Sequence, residues 1–115
     1  MVQEAREFLK SRVDHTPLRK ARCLPGEVYF KCENFQKTGS FKIRGALNRV
    51  RGLTAEAKAK GVIAASAGNH AQGVALSAQI YGIHATIVMP KTAPMIKVLA
   101  TQSYGAKVVL EGEYY

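Results

Sequence analysis

The chain has 115 residues, of which 47% are hydrophobic and 22% charged, a composition that favours one globular domain over a disordered chain. No apolar run approaches the roughly 20 residues that a membrane-spanning helix needs. Residues 1–12 also lack the hydrophobic centre of a secretory signal peptide. Its two cysteines, Cys23 and Cys32, form no CxxC pair. We therefore expect a cytoplasmic protein with reduced thiols and no membrane partner.

The net charge of +9 is concentrated in the first half of the chain. Residues 1–60 contain 14 of the 17 basic and 6 of the 8 acidic residues, which leaves +8 there and +1 in residues 61–115. Nucleic-acid binding is one interpretation of such a basic half. However, the basic residues are scattered singly among apolar ones, without zinc-ligand spacing or an RNA-binding aromatic motif. We favour attraction of a small anionic ligand, or contact with an acidic protein surface, over nucleic acid.

The beginning of the chain predicts a helix followed by a strand. Apolar residues recur at helical spacing through residues 2–13, and Pro17 follows shortly after them. Residues 27–33, EVYFKCE, alternate apolar with other side chains. This alternation is typical of a strand.

Two helices are predicted next. Ser40 is a favourable N-cap for a helix that runs from Phe41 to about Gly52. Thr54 then caps a short polar helix, AEAKAK, which Gly61 closes.

The remainder of the chain alternates short apolar strands with amphipathic helices. The predicted order is strand 61–66, helix 69–82, strand 85–90, helix 93–105 and strand 106–112. This order predicts an α/β fold, in which a parallel sheet has helices on both faces and right-handed crossovers join the strands. Such a sheet normally continues into another helix after its last strand. We therefore expect this sequence to be the front part of a longer protein.

Lys42 occupies an unusual position in the first turn of the helix after Ser40. A cation at the positive end of a helix dipole is disfavoured by roughly 0.3–1 kcal/mol. The neutral amine is the form that attacks carbonyl carbons, and lysine is the residue that forms Schiff bases. From position alone, Lys42 is either a nucleophile or an ordinary surface lysine.

Residues 66–70, SAGNH, form a predicted turn between a buried strand and a helix. Free N–H groups at a helix N-terminus bind anions, and Ser66 and Asn69 add side-chain donors. Gly68 allows a close approach or a positive φ. A plain strand–helix junction without a ligand is the other interpretation. For His70, a capping or supporting role is favoured over a role as general base.

Two motifs, KTGSFKIRGA and SAGNHAQGVA, resemble the tryptophan-synthase-β-like family of pyridoxal-phosphate enzymes. The likeness is strongest to its threonine dehydratase (threonine ammonia-lyase) branch, with serine racemases and serine dehydratases nearby. The shorter segments HTPL, KCEN, IVMP and GAKVVL also occur in the order typical of the family. The resemblance therefore covers nearly the whole chain and implies pyridoxal 5'-phosphate as cofactor.

The resemblance implies a role for each of the residues singled out above. The lysine of the SFK motif is the Schiff-base lysine of the family, which assigns that role to Lys42. Phe41 would lie against a face of the cofactor's pyridine ring, and Asn69 would hydrogen-bond its phenolic oxygen. The loop that grips the substrate's α-carboxylate would consist of Ser66, Ala67, Gly68, Asn69 and His70. No metal site is implied.

The implied reaction is β-elimination from a small amino-acid substrate. It would give 2-oxobutanoate and ammonia from L-threonine, or pyruvate and ammonia from L-serine. Serine racemases carry a second serine in this loop, SSGNH, so Ala67 favours a dehydratase over a racemase. The form of the loop, SAGNHAQG, also argues against cysteine synthase and its β-replacement chemistry.

The layout of the family implies that residues 1–34 belong to a large domain and residues 35–115 to a small α/β domain. The glycine-rich loop that cradles the cofactor phosphate would then lie beyond residue 115, so we expect the chain alone to be inactive or nearly so. Many relatives are homo-oligomers. Alternatives from another class are a truncated, non-catalytic product or a basic binding module.

Overall fold

A computed structural model describes residues 1–114; only Tyr115, the last residue of the predicted small domain, lies outside the described residues. None of the helices that residues 1–114 form has the length and apolar character needed to span a bilayer. The elements in chain order are α1 (Val2–Leu9), β1 (Leu18–Lys20), β2 (Tyr29–Lys31), a 3-10 turn (Glu33–Phe35), α2 (Lys42–Arg51), α3 (Ala55–Lys60), β3 (Val62–Ala65), α4 (Asn69–Tyr81), β4 (Ala85–Met89), α5 (Met95–Ser103) and β5 (Lys107–Leu110).

The second half of the chain forms a three-stranded parallel sheet in the order β3-β4-β5. Side chains of β4 alternate between the two faces of the sheet, and Ile87 and Met89, which are fully buried, lie on the core face. Small residues of α4 and Val98 of α5 pack against that face. The predicted α/β class with a parallel sheet is therefore confirmed.

Both connecting helices lie on one face of this sheet. Ile63 of β3 points to the opposite face and is 74% exposed, and Ala65 beside it is also exposed. The expectation of helices on both faces is thus not met within residues 1–114. The physical reason is the strand order: two successive right-handed crossovers in one direction place α4 and α5 on the same side.

Helix α4 is packed on a second side by α2, which makes its most extensive contacts with α4. Ile43 and Leu47 of α2 are fully buried and form a second apolar cluster with Leu9 and Val13 from the N-terminal segment. Burial on two sides explains why α4 is rich in alanine and glycine, since small side chains allow close helix packing.

The N-terminal region departs from the sequence prediction. The strand predicted over residues 27–33 is only the three residues of β2, and it pairs with β1 as an exposed antiparallel ribbon. Sequence analysis missed β1, because three residues, LRK, carry no readable alternation. The helix predicted over residues 2–13 ends earlier, at Leu9.

Most other boundaries agree with the prediction. Thr54 caps α3, where its Oγ1 accepts a hydrogen bond of 3.2 Å from the N–H of Ala57, and Gly61 ends that helix with φ of 84°. Helix α2 begins one residue later than predicted, because Phe41 rather than Ser40 is the N-cap residue. Ser40 still serves the helix end, since its Oγ accepts a hydrogen bond of 3.4 Å from the N–H of Lys42.

Candidate active site

The turn at residues 66–70 follows the carboxyl end of β3, where ligands bind in open α/β sheets. Ser66 organises this turn: its Oγ accepts hydrogen bonds of 3.3 Å from the N–H groups of Gly68 and Ala71. Ala67 is half-buried against the sheet core and holds the turn to the scaffold. The turn is therefore held by two hydrogen bonds to the Ser66 hydroxyl and by the apolar contact of Ala67.

Asn69 and His70 are the first two residues of α4, and both side chains are exposed. Gly68 precedes them with φ of −132°, so the position does not require a left-handed backbone. Nothing lies within 4 Å of a Cβ built on Gly68. The space in front of the turn is therefore open to a ligand.

Lys42 is the first residue of α2, as expected of a lysine placed at a positive helix end. Its Nζ lies 5.1 Å from the centroid of the Phe41 ring, within the range of a cation–π contact. The Phe41 side chain is 58% exposed, which leaves part of the ring available to another planar group.

The backbone of Lys42 lies close to Gly73 of α4, the helix that follows the 66–70 turn. A Cβ built on Gly73 of α4 would lie 3.1 Å from the carbonyl carbon of Lys42 and 3.2 Å from the backbone N of Ile43. A side chain at this position would require the two backbones to move apart by a few tenths of an ångström. Sequence analysis did not single out Gly73, because its partner is distant in the chain.

An open cleft of about 520 Å³ lies between the 30–41 region and the start of α4. It brings together two of the predicted site residues, Phe41 and Asn69; its full lining is Phe30, Lys31, Cys32, Glu33, Asn34, Gly39, Ser40, Phe41 and Asn69. The other predicted residues, Lys42, Ser66, Ala67, Gly68 and His70, are not among its walls. A second groove, of about 500 Å³ beside α1, contains none of the predicted site residues.

Glu33, in the wall of the cleft, is held by an ion pair with Arg44 of α2. The guanidinium donates two hydrogen bonds, from Nε to Oε2 at 2.8 Å and from Nη2 to Oε1 at 2.7 Å, and Thr16 Oγ1 donates a third to Oε1 at 2.5 Å. The paired Arg44 lowers the pKa of Glu33 from 4.5 to about 2. This contact fixes the cleft wall to α2 two residues after Lys42. Periodicity could not reveal it, since the partners belong to different elements.

A family model described as a pyridoxal-phosphate dependent enzyme matches residues 9–115, and the chain belongs to that family. A Staphylococcus aureus (strain N315) protein named L-threonine dehydratase catabolic TdcB is 55% identical over 119 residues, covering 99% of this chain and 34% of that protein. The chain thus spans about a third of the length of this relative. The resemblance to the threonine dehydratase branch is confirmed.

Solved structures show the same likeness. A maize serine racemase structure matches 96% of this chain and 35% of its own, with a TM-score of 0.90 and 40% identity. The processed form of threonine deaminase isoform 2 from Solanum lycopersicum matches 100% of this chain and 37% of its own, with a TM-score of 0.84 and 40% identity.

The residues present fit pyridoxal phosphate by their chemistry. Covalent attachment of an aromatic aldehyde through a C=N bond requires a primary amine. Lys42 provides such an amine beside the partly exposed ring of Phe41. Anionic oxygens require donors, and Asn69 and the turn before it lie at a helix N-terminus. Among residues 1–114 no cluster of three or more potential metal ligands occurs.

Proposed function

We propose that the amine of Lys42 forms the covalent bond to the aldehyde of pyridoxal phosphate. The Phe41 ring would lie against the cofactor ring, and the Asn69 amide would donate to its phenolic oxygen. Support comes from the cleft that Phe41 and Asn69 share and from the contact of Lys42 Nζ with the Phe41 ring. These assignments follow the family motifs that the chain carries.

The turn at residues 66–70 would bind the α-carboxylate of an amino acid. Its backbone N–H groups and the positive end of α4 suit an anion, and the space before Gly68 is open. His70 is exposed at the same helix end and adds a side chain that can donate. Gripping the carboxylate here orients the α-carbon relative to the amine of Lys42.

The complete protein would convert L-threonine to 2-oxobutanoate and ammonia, and L-serine to pyruvate and ammonia. Bound pyridoxal phosphate supplies an electron-withdrawing ring that spreads the negative charge left at the α-carbon. The amine of the substrate would first replace that of Lys42 on the cofactor aldehyde, and the freed Lys42 amine would then remove the α-proton as general base. The β-hydroxyl would leave as water, and a later hydrolysis would release ammonia. The 55% identity to the threonine dehydratase, over 99% of the chain, is the observation that carries this proposal.

We also propose that residues 1–34 form part of a large domain and residues 35–115 the small one, in a cytoplasmic, homo-oligomeric protein. Because the chain spans about a third of its relative, residues outside the matched third would complete the cofactor site. The chain alone would then be inactive or nearly so. The excess of basic residues in the first half suits contact with an acidic surface of that remainder.

The first experiment tests the role of Lys42. The chain is mixed with pyridoxal phosphate, reduced with borohydride and mapped by peptide mass spectrometry. We expect one adduct at Lys42 that Lys42→Ala abolishes and that Lys91→Ala, a change at another exposed lysine, leaves intact. Substoichiometric labelling scattered over many lysines would contradict the proposal for this chain.

A chimera tests the reaction. Residues 1–115 replace the matching segment of the Staphylococcus aureus relative, and 2-oxo acids formed from L-threonine and L-serine are measured with and without Lys42→Ala. We expect activity that depends on Lys42. An inactive but folded chimera would contradict the proposed activity.

Racemisation of serine is the second candidate, favoured by the match to the maize serine racemase structure. Ala67 stands where serine racemases carry their second loop serine, so we expect pyruvate to form from L-serine faster than D-serine does. Faster formation of D-serine than of pyruvate in the chimera would favour racemisation over dehydration as the function.

A further inference from the structure

Lys97 connects the start of α5 to the start of α4. It lies in the first turn of α5, and its Nζ donates a hydrogen bond of 3.3 Å to Oδ1 of Asn69. Lys97 is half-buried, whereas Asn69 lies in the wall of the cleft. The backbone that carries Lys97 is also fixed, since fully buried Thr101 donates from Oγ1 to its carbonyl oxygen at 2.8 Å.

The position of Lys97 is unfavourable for α5 itself. The first turn of this helix contains no acidic residue, so the ammonium faces the positive end of the dipole without local compensation. The contact that offsets this repulsion is the Asn69 carbonyl oxygen, 28 residues away in the chain. A lysine is therefore placed where it disfavours its own helix and where it reaches a residue of the cleft.

A hydrogen bond to one end of an amide determines what its other end offers. Asparagine has one carbonyl oxygen, which accepts, and one NH₂ group, which donates twice. With the oxygen bonded to an ammonium, the NH₂ group remains for another acceptor. If the amide rotated by half a turn, it would present its oxygen to that acceptor, and two oxygens with lone pairs repel one another.

We propose that Lys97 is a positioning residue: it holds the Asn69 amide so that its NH₂ group faces the cleft and donates to the cofactor's phenolic oxygen. This inference rests on the proposed function, which places the cofactor at Lys42 and its phenolic oxygen at Asn69. Lys97 itself touches neither the cofactor nor the substrate; it acts through Asn69.

The contact can be tested in the chain without cofactor. The side-chain NH₂ cross-peaks of Asn69 in a ¹H–¹⁵N spectrum are those that disappear in Asn69→Ala. We expect Lys97→Met, which keeps an unbranched stem but loses the donor, to shift them. Lys107→Met removes the same charge from an exposed residue of β5 and is expected to leave them in place. Asn69 peaks that do not move in Lys97→Met would overturn the inference.

The function of the contact is tested in the chimera described above, because residues outside the matched third would complete the cofactor site. The chimera is titrated with pyridoxal phosphate and the dissociation constant of the cofactor is measured. We expect Lys97→Met to weaken binding roughly fivefold, the value of one ordinary hydrogen bond, and Lys97→Arg, which retains a cationic donor, to restore most of the affinity. In an Asn69→Ala background, Lys97→Met should cause no further loss, because its effect passes through Asn69. Equal losses in both backgrounds would overturn the inference.

These outcomes separate the inference from the proposed function. If the unmodified chimera takes up no cofactor at Lys42, the proposed function fails and the inference fails with it. If the cofactor binds at Lys42 but Lys97→Met behaves like Lys107→Met, only the inference fails. Urea unfolding midpoints of all variants show whether any loss reflects unfolding instead.

Discussion

Gly73→Ala tests whether a single close approach of two backbones sets the position of Lys42. The new Cβ would lie 3.1 Å from the carbonyl carbon of Lys42 and 3.2 Å from its carbonyl oxygen, closer than the 3.4–4 Å of ordinary contact. These are backbone atoms of α2, so no side chain can rotate away. The start of α2 must move by a few tenths of an ångström, and overpacking of this kind costs about 1–3 kcal/mol.

Gly45→Ala in α2 is the matched control. Nothing lies within 4 Å of a Cβ built on Gly45, so this variant gains only helix propensity, about 1 kcal/mol in the free energy of unfolding. Gly73→Ala gains the same propensity and also suffers the clash. The difference between the two variants is then the clash alone, about 1–3 kcal/mol.

Urea unfolding followed by circular dichroism measures that difference, and borohydride labelling reports on the position of the amine. We expect Gly73→Ala to unfold at lower urea than Gly45→Ala and to lose part of the adduct at Lys42. Equal stability and equal labelling of the two variants would refute the argument that α4 sets the position of Lys42.

Two further predictions concern stability. Because Arg44 lowers the pKa of Glu33 from 4.5 to about 2, the ion pair stabilises the fold fully above about pH 5 and loses that contribution as the pH falls towards 2. The free energy of unfolding measured by urea titration should decline by about 1–2 kcal/mol across this window, since solvent screens a partly exposed pair, and Glu33→Gln should flatten the decline. An equally steep decline in Glu33→Gln would contradict this account. Gly61→Ala should lower the free energy of unfolding by about 2 kcal/mol or more, because φ there is 84° and the new Cβ would lie 2.7 Å from the His84 carbonyl oxygen. Gly26→Ala, with φ of 83° and open space, isolates the backbone strain; equal effects of the two would show that the clash is absent.

The sequence predicted best the parts of the fold with a long local pattern. Clear turn residues bound helix α4 and strand β4 in the sequence. The predicted order and type of these two elements, and most of their boundaries, are confirmed. The turn at residues 66–70 is also predicted, because it lies between the apolar run of β3 and the start of α4. These features depend on neighbours in the chain, which is the information that periodicity contains.

Long-range contacts were not predictable from one sequence. The antiparallel ribbon pairs Leu18 with Lys31; residues 27–33 alternate and predict one strand, but its partner β1 is three residues without a pattern of its own. Nothing local in the sequence links Glu33 with Arg44, whose charged groups lie 2.7 Å apart in the fold. The uncovered sheet face was likewise missed, since a run of apolar residues in β3 is compatible with burial on either one face or two.

The glycine contact between α2 and α4 also has a dynamic consequence. Helices that meet through layers of side chains can slide as rotamers change, but here Gly73 places backbone against backbone, with no deformable layer between them. We therefore expect the backbone of Lys42 and the start of α4 to shift together rather than to slide past one another. A motion that changed the distance between the Lys42 backbone and the turn at residues 66–70 would first have to break this backbone contact.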